Sequence, residues 1–213
     1  MLDASPPRLI MESRSRNPLL SNNAADWQDL VADLNPPALL LFIESRMSEK
    51  LNLQHTPEDI YQEVLTRAWG ERESVEWKGV RKFRAFVMLL IERVIVDLAN
   101  YDGRLKRNDP NASNGETQQE GARAAENMMA ELQAATASPS RAAIYRERAA
   151  AMQSALDRLP DEQRELLRRR IIEDQPLEEI AKAMGLGMGA VRHRLFRAAE
   201  AYAAALNADR SRR

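Results

Sequence analysis

The chain has no cysteine and only two histidines, His55 and His193, in 213 residues. Without cysteine there are no disulfide bonds and no cysteine-ligated zinc. Because the two histidines lie far apart in the sequence, we expect no histidine-based metal site, and the sequence predicts no cofactor. A Gly-rich phosphate loop and a nucleophile elbow are also lacking. A hydrolase or a transferase therefore has almost no support, and we expect that the chain is not an enzyme.

Long apolar runs are lacking as well. No stretch approaches the roughly 20 apolar residues that span a bilayer, and the longest candidate, residues 38–43, is interpreted as one face of a helix. The first residues contain no apolar core of the kind that signal peptides have. We therefore expect a cytoplasmic protein without a membrane partner.

Aromatic residues are scarce, at 5%, whereas Ala, Leu, Arg and Glu are plentiful. A hydrophobic fraction of 44% excludes wholesale disorder, and this composition is typical of helical proteins. The predicted fold is all-α, with two small helical domains joined by a flexible linker. The C-terminal domain is predicted to contain a helix-turn-helix.

The net charge is only −1, but the charges are unevenly distributed. Residues 141–213 contain 15 basic and 11 acidic residues, whereas residues 1–140 contain 16 basic and 21 acidic residues. A basic C-terminal part beside an acidic N-terminal part indicates two different partners. We expect the first partner to be nucleic acid and the second to be a protein with a basic surface.

Composition and periodicity divide the chain into four segments. Residues 1–25, rich in Ser, Pro and Asn, are predicted to form a flexible arm. Residues 106–140 contain no aromatic residue and are predicted to form the linker, with a transient helix at 126–135. The two helical domains are predicted over 26–105 and 141–213. In the first of them we expect helices near 26–33, 37–50, 57–71 and 80–105.

Residues 177–202, LEEIAKAMGLGMGAVRHRLFRAAEAY, have the layout of a helix-turn-helix. Gly185 falls where the first helix should end, because glycine enters the left-handed conformation at little cost. Two apolar stripes at helical spacing are predicted to be buried: Leu177, Ile180, Ala181 and Met184 in the first helix, and Val191, Leu195, Ala198 and Tyr202 in the second.

The second helix of this motif carries four side chains that are predicted to face outward or to flank the stripe: Arg192, His193, Arg194 and Arg197. Guanidinium groups can form paired hydrogen bonds with guanine edges or bind phosphates, so this helix is predicted to enter a DNA major groove. The alternative is a two-helix hairpin whose arginines are simply a solvated face.

Both helical parts resemble the extracytoplasmic-function group of bacterial RNA polymerase sigma factors. The segment ALDRLPDEQRELLRRRIIEDQPLEEIAKAMGLGMGAVRHRLFRAAEA is similar to region 4 of that group throughout its length. In the N-terminal part, TPEDIYQEVLTRAW resembles region 2.2, and FRAFVMLLIERVIVD resembles the long helix of regions 2.3 and 2.4. The similarity in the N-terminal part is looser.

The resemblance implies a dissociable subunit of RNA polymerase that recognises promoters and is not a catalyst. It implies that region 4 binds the minus-35 duplex and the flap of the second-largest polymerase subunit. It further implies that the region 2.2 helix binds the clamp helices of the largest subunit, with Asp59, Gln62 and Glu63 at the matching positions. Carboxylates on an exposed helix suit a basic coiled coil, although an ordinary solvated helix face is the alternative interpretation.

In sigma factors of this group, the loop before the long helix captures an unstacked base of the minus-10 element. The matching residues here are Trp77 and the basic residues near it, Lys78, Arg81, Lys82 and Arg84, while Trp69 and Phe83 are expected in the core. An aromatic ring beside cations is what single-strand binding requires. The long helix departs from the group, since Leu89, Glu92 and Arg93 stand where polar and basic residues are usual, and basic residues return only at Arg104, Lys106 and Arg107.

The resemblance also implies a regulator, an anti-sigma protein in most members of the group. Thr56 is in addition a candidate site for a regulatory kinase, because a phosphate is favourable at an exposed helix N-terminus; the simpler interpretation is that Thr56 only caps the helix. A different class of function stays open, namely a helix-turn-helix repressor or activator whose N-terminal helices bind a ligand or dimerise. Such a regulator binds a palindrome without polymerase, whereas a sigma factor directs core polymerase to initiate.

Overall fold

The computed structural model describes residues 17–21, 23–105 and 139–210. Several predictions from the sequence fall outside these residues. They concern most of the arm, nearly all of the linker with its helix at 126–135, and the basic residues Lys106 and Arg107. Every regular element in the described parts of the chain is helical, which confirms the all-α fold class.

Nine α-helices follow one another through the described residues: α1 (Ala24–Asp33), α2 (Pro36–Arg46), α3 (Glu49–Asn52), α4 (Pro57–Gly70), α5 (Val80–Leu105), α6 (Pro139–Asp157), α7 (Asp161–Leu167), α8 (Leu177–Met184) and α9 (Met188–Arg210). A 3₁₀ turn, Pro18–Leu20, precedes α1, and a π-helical turn, Arg168–Ile172, extends α7. We call residues 17–105 the N-terminal lobe and residues 139–210 the C-terminal lobe.

The helices predicted near 26–33, 57–71 and 80–105 are confirmed within two residues. The prediction of one helix over 37–50 is wrong at its end, because α2 stops at Arg46 and the backbone turns extended at Met47. Ser48 then caps the separate helix α3 by accepting a hydrogen bond from the Leu51 amide. Serine side chains compete with the helical backbone in this way, which makes them frequent starting points for a new helix.

The core of the N-terminal lobe forms around α2, which is buried from Pro36 to Ile43. Trp27 of α1 packs edge-on against Trp69 of α4, with ring centroids 5.0 Å apart. The expectation that Trp69 and Phe83 belong to the core is confirmed. Leu19 in the 3₁₀ turn is also fully buried, so residues 17–25 belong to this lobe, contrary to the prediction of a loose arm there.

The two lobes pack against each other, because α6 lies along α2 and the two helices make extensive contact. Ala149, Leu156 and Leu159 of the C-terminal lobe share one apolar cluster with side chains of α2, including Leu40 and Leu41. A second, smaller cluster lies wholly inside the C-terminal lobe and holds the helix-turn-helix together. None of the described helices has the length and apolar character needed to cross a bilayer.

Candidate nucleic-acid interface

The helix-turn-helix is formed by α8, a tight turn and α9. Glycine 185 ends α8 with φ +64°, in the left-handed conformation predicted for it. The Leu186 amide donates a hydrogen bond back to the Ala181 carbonyl at 2.9 Å, which closes the end of α8. The chain therefore reverses within three residues, and α9 starts at Met188.

Helix α9 is fixed by the stripe that the sequence predicts. Val191 and Ala198 are fully buried, and Leu195 and Tyr202 are half-buried. Val191 packs with Ile180 and Ala181 of α8 and with Leu166 of α7. These contacts hold α9 against the rest of the lobe along one side only, so the opposite side is available to a partner.

All four side chains predicted to contact the minus-35 element are exposed on α9: Arg192, His193, Arg194 and Arg197. Arg194 forms an ion pair with Glu162 at the start of α7. Arg197 lies 3.9 Å from Glu200, measured from Nε to Oε2. Because ion pairs between exposed groups contribute only about 0–1 kcal/mol, a phosphate or a guanine edge can replace either carboxylate at little cost.

One residue of this surface escapes the sequence analysis. Phe196 is 64% exposed on α9, between the cations His193 and Arg197. A phenyl ring on a groove-facing helix is the type of group that contacts a thymine methyl. Its position outside the apolar stripe, one residue after Leu195, is the signal that could have identified it.

The residues predicted to capture the minus-10 strand divide into two sets. Trp77 is half-buried, and its ring centroid lies 6.2 Å from that of Phe83. Lys78 is exposed and pairs with Glu76 at 2.7 Å, and Arg81 and Lys82 are exposed in the first turn of α5. The structure therefore brings one aromatic edge and three cations together at the start of α5.

Arg84 does not belong to that exposed set, which corrects its assignment to the minus-10 surface. Its side chain is buried and donates hydrogen bonds to the Leu34 carbonyl at 3.0 Å and to the Ile171 carbonyl at 3.1 Å. Burial lowers the pKa of the Arg84 guanidinium, while the nearby Asp174 carboxylate opposes this shift. The sequence contains the signal, since Arg84 is three residues before Val87 and seven before Ile91, both on the buried face of α5.

The residues predicted to bind polymerase lie along α4. Asp59 and Gln62 are exposed, and Glu63 is half-buried and accepts a hydrogen bond from Arg67 at 2.8 Å. Arg67 also donates to Asp97 of α5 at 2.6 Å, and this hydrogen bond raises the pKa of the guanidinium. The charge of Glu63 is therefore largely neutralised inside the lobe, and Asp59 and Gln62 are the more accessible of the three.

Thr56 caps α4, which confirms the simpler of its two interpretations. Its hydroxyl accepts from the Asp59 amide at 3.2 Å, and the Asp59 carboxylate accepts from the Thr56 amide at 2.9 Å, so a complete capping box is present. The hydrogen bonds from Thr56 lower the pKa of Asp59. Phosphorylation of Thr56 stays a prediction.

The long helix α5 differs from the usual pattern as the sequence indicates. Leu89 is 62% exposed, Arg93 is exposed, and Glu92 pairs with Arg46 at 3.5 Å. This middle part of α5 offers one free-standing apolar side chain and few cations to a nucleic acid. Contacts from Arg104 and its basic neighbours stay a prediction.

Comparison with known protein families adds an independent finding. Residues 149–201 match the family model described as sigma-70, region 4. The match extends from the middle of α6 into the second half of α9 and so contains the whole helix-turn-helix and the four exposed side chains named above. A sequence search among curated proteins found no match to the chain.

Proposed function

The chain belongs to the sigma-70 family through its region 4 domain, and from this premise we propose that it is an extracytoplasmic-function sigma factor. Region 4 is a DNA-binding unit of transcription initiation. In the proposed function, the chain binds core RNA polymerase in the cytoplasm, directs it to promoters and leaves after initiation. It contributes binding surfaces and no catalytic group of its own.

The observation that carries this proposal is the exposed cationic face of α9 inside the matched region. Arg192, His193 and Arg197 project from a helix that is buried on its other side by Val191 and Ala198. A helix held in this way can lie in a major groove with its guanidinium groups directed at bases and phosphates. We assign it to the minus-35 element.

The N-terminal lobe is proposed to act as region 2. The Trp77 edge with Lys78, Arg81 and Lys82 offers one stacking surface and three cations within a short segment. Stacking of a base on an aromatic ring contributes about 1–3 kcal/mol. This combination supports capture of an unstacked base in the minus-10 strand, with Arg84 acting in the interior instead.

Polymerase contacts are proposed for both lobes. Helix α4 presents the exposed Asp59 and Gln62, which suit the basic clamp helices of the largest subunit. Region 4 would bind the flap of the second-largest subunit. An anti-sigma protein that covers these surfaces is a further expectation from the resemblance to the group.

Run-off transcription with core polymerase and a library of promoter fragments tests the proposal. The purified chain should create new start sites that core polymerase alone does not use. Arg192→Ala with Arg197→Ala should reduce initiation at these sites by about 1–3 kcal/mol per base contact. Arg148→Ala removes an exposed arginine of the same lobe outside α9 and serves as the matched control.

The packing of the two lobes favours one alternative, a helix-turn-helix regulator whose N-terminal helices bind a ligand or dimerise. A sensing domain is expected to pack on the domain that reads DNA, and α6 lies against α2 in this chain. Such a regulator would bind a palindromic duplex as a dimer in the absence of polymerase. Initiation that requires the chain together with core polymerase would exclude it.

A further inference from the structure

We infer that the packed arrangement of the two lobes is a closed, autoinhibited state, which core polymerase and promoter DNA must open. This inference rests on the proposed function. In the closed state the C-terminal lobe acts as an intramolecular competitor for the polymerase-facing side of the N-terminal lobe.

The distance between promoter elements requires the lobes to separate. The minus-10 and minus-35 elements lie about 25 base pairs apart, which at 3.4 Å per base pair is about 85 Å. A compact chain of this length has a radius of gyration of about 17 Å and is therefore only about 45 Å across. The packed lobes cannot reach both elements at once. The 33 residues between α5 and α6 could span about 110 Å if extended, so the chain length permits separation.

A buried guanidinium fastens the closed state. Arg84 extends from α5 to acceptors in both lobes: the Leu34 carbonyl at the end of α1, and the Ile171 and Ile172 carbonyls in the π-helical turn of the C-terminal lobe. Arginine has five N–H donors in a planar arrangement, which suits several acceptors at one place. A single side chain of the N-terminal lobe therefore satisfies backbone groups of the C-terminal lobe.

The charge of Arg84 is balanced by Asp174 of the C-terminal lobe, with Nη1 and Oδ2 3.3 Å apart. Asp174 has a left-handed backbone, φ +50°, which is uncommon for residues other than glycine and asparagine. It also pairs with Arg170 at 3.2 Å. A buried cation is tolerated only with such a partner, so loss of the Asp174 charge weakens the closed state more than loss of an exposed ion pair would.

At the other end of the seam between the lobes, Arg146 of α6 forms an ion pair with Glu58 in the first turn of α4. The next residue is Asp59, predicted to bind polymerase, and its pKa is lowered first by hydrogen bonds from Thr56 and to a smaller extent by the charges of His55 and Arg146. Arg146 thus occupies the acidic end of α4 to which a basic coiled coil would bind. Polymerase and the C-terminal lobe compete for this end.

The seam is apolar in its middle and incompletely filled at its Arg146 end. Ala149 and Leu156 of α6 are buried against the α2 cluster. Beside them an open cleft of about 860 Å³ reaches Glu44, Glu58 and Arg146. The Arg146 end is therefore the place where a competitor can first enter.

Fluorescence energy transfer tests the closed state directly, because a chain without cysteine accepts labels only at introduced sites. The labels are placed at exposed positions of the two lobes, Asn52→Cys and Glu178→Cys. Transfer should be efficient in the free chain and should fall when core polymerase and promoter DNA are added. Low efficiency in the free chain, or no change on addition of polymerase and DNA, would overturn the inference.

Two variants connect closure with activity. Asp174→Asn, which the left-handed backbone accepts, should lower transfer in the free chain and tighten polymerase binding by about tenfold, since less of the chain is held closed. Asp161→Asn removes an exposed carboxylate of the same lobe and should change neither quantity. Equal polymerase affinity of the Asp174→Asn variant and the unmodified chain would contradict autoinhibition.

A charge exchange provides a second route that does not disturb the buried arginine. Arg146→Glu should lower transfer in the free chain, and the double change Glu58→Arg with Arg146→Glu should restore it. Failure of the double change to restore transfer would count against the competing ion pair. A chain that closes and opens as described but never initiates transcription would contradict the proposed function and, with it, the inference of autoinhibition. Transcription without closure would contradict the inference alone.

Discussion

Two groups of basic residues, one at the start of α5 and one on α9, carry the same charge in different surroundings. On α9 the cations occupy the side opposite the buried stripe, and all four are exposed. At the start of α5, Arg81 and Lys82 are exposed, whereas Arg84 is buried and fastens the two lobes. A basic residue near a predicted nucleic-acid surface is therefore a DNA contact only if its helical position points away from the core.

The largest expected difference between the two groups is in stability. Arg84→Leu should lower the free energy of unfolding by about 3–5 kcal/mol, because it leaves Asp174 and three backbone carbonyls without their buried donor. Arg192→Ala, on the exposed surface, should change it by no more than about 0.5 kcal/mol. Urea denaturation followed by circular dichroism measures both. Similar small losses for the two variants would remove the distinction drawn here.

The next effect concerns the remaining members of the α5 group. Trp77→Ala should weaken binding of a single-stranded minus-10 oligonucleotide by the holoenzyme by about 1–3 kcal/mol, because a stacking surface is lost. Binding of a minus-35 duplex should not change. Fluorescence anisotropy with the two DNA ligands separates these outcomes, and equal weakening of both would indicate a general structural defect instead.

A smaller effect is expected at the capping box of α4. Thr56→Ala should lower the free energy of unfolding by about 1 kcal/mol at pH 7. The hydrogen bonds from Thr56 lower the pKa of Asp59, so the stability they contribute is present above about pH 4 and is lost as the pH falls through the lowered pKa. The difference between the variant and the unmodified chain should therefore shrink below pH 4. A difference that stayed constant with pH would exclude this linkage.

The smallest expected effect is on the α9 group itself. Glu162→Gln frees Arg194 from its carboxylate and should strengthen minus-35 binding by less than about 1 kcal/mol, since the ion pair is exposed. Arg194→Ala should weaken the same binding. Titration of duplex DNA at two salt concentrations measures both changes, and weaker binding of the Glu162→Gln variant would show that Glu162 positions Arg194 for DNA.

Much of the fold follows from local signals in the sequence. Thr56 with Pro57 marks the start of α4, Gly185 marks the turn of the helix-turn-helix, and the stripe from Val191 to Tyr202 orients α9. Each of these signals acts within a few residues of the feature it determines. The same locality explains why all four exposed side chains on α9 could be predicted.

The packing of the lobes could not be predicted in this way, because it depends on contacts between residues far apart in the chain. Arg84 and Ile171 are 87 residues apart, and no local pattern relates them. The burial of Leu19 has the same origin, since the composition of residues 1–25 conceals a single apolar contact with the core. Composition describes a segment on average and does not identify the one side chain that anchors it.

Association of the purified chain with core RNA polymerase that lacks its own specificity subunit tests the central claim most directly. Analytical ultracentrifugation of the mixture should show one chain bound to each polymerase, with specific initiation by the assembled complex. A chain that binds minus-35 duplex through α9 but does not associate with core polymerase would contradict the assignment as a sigma factor.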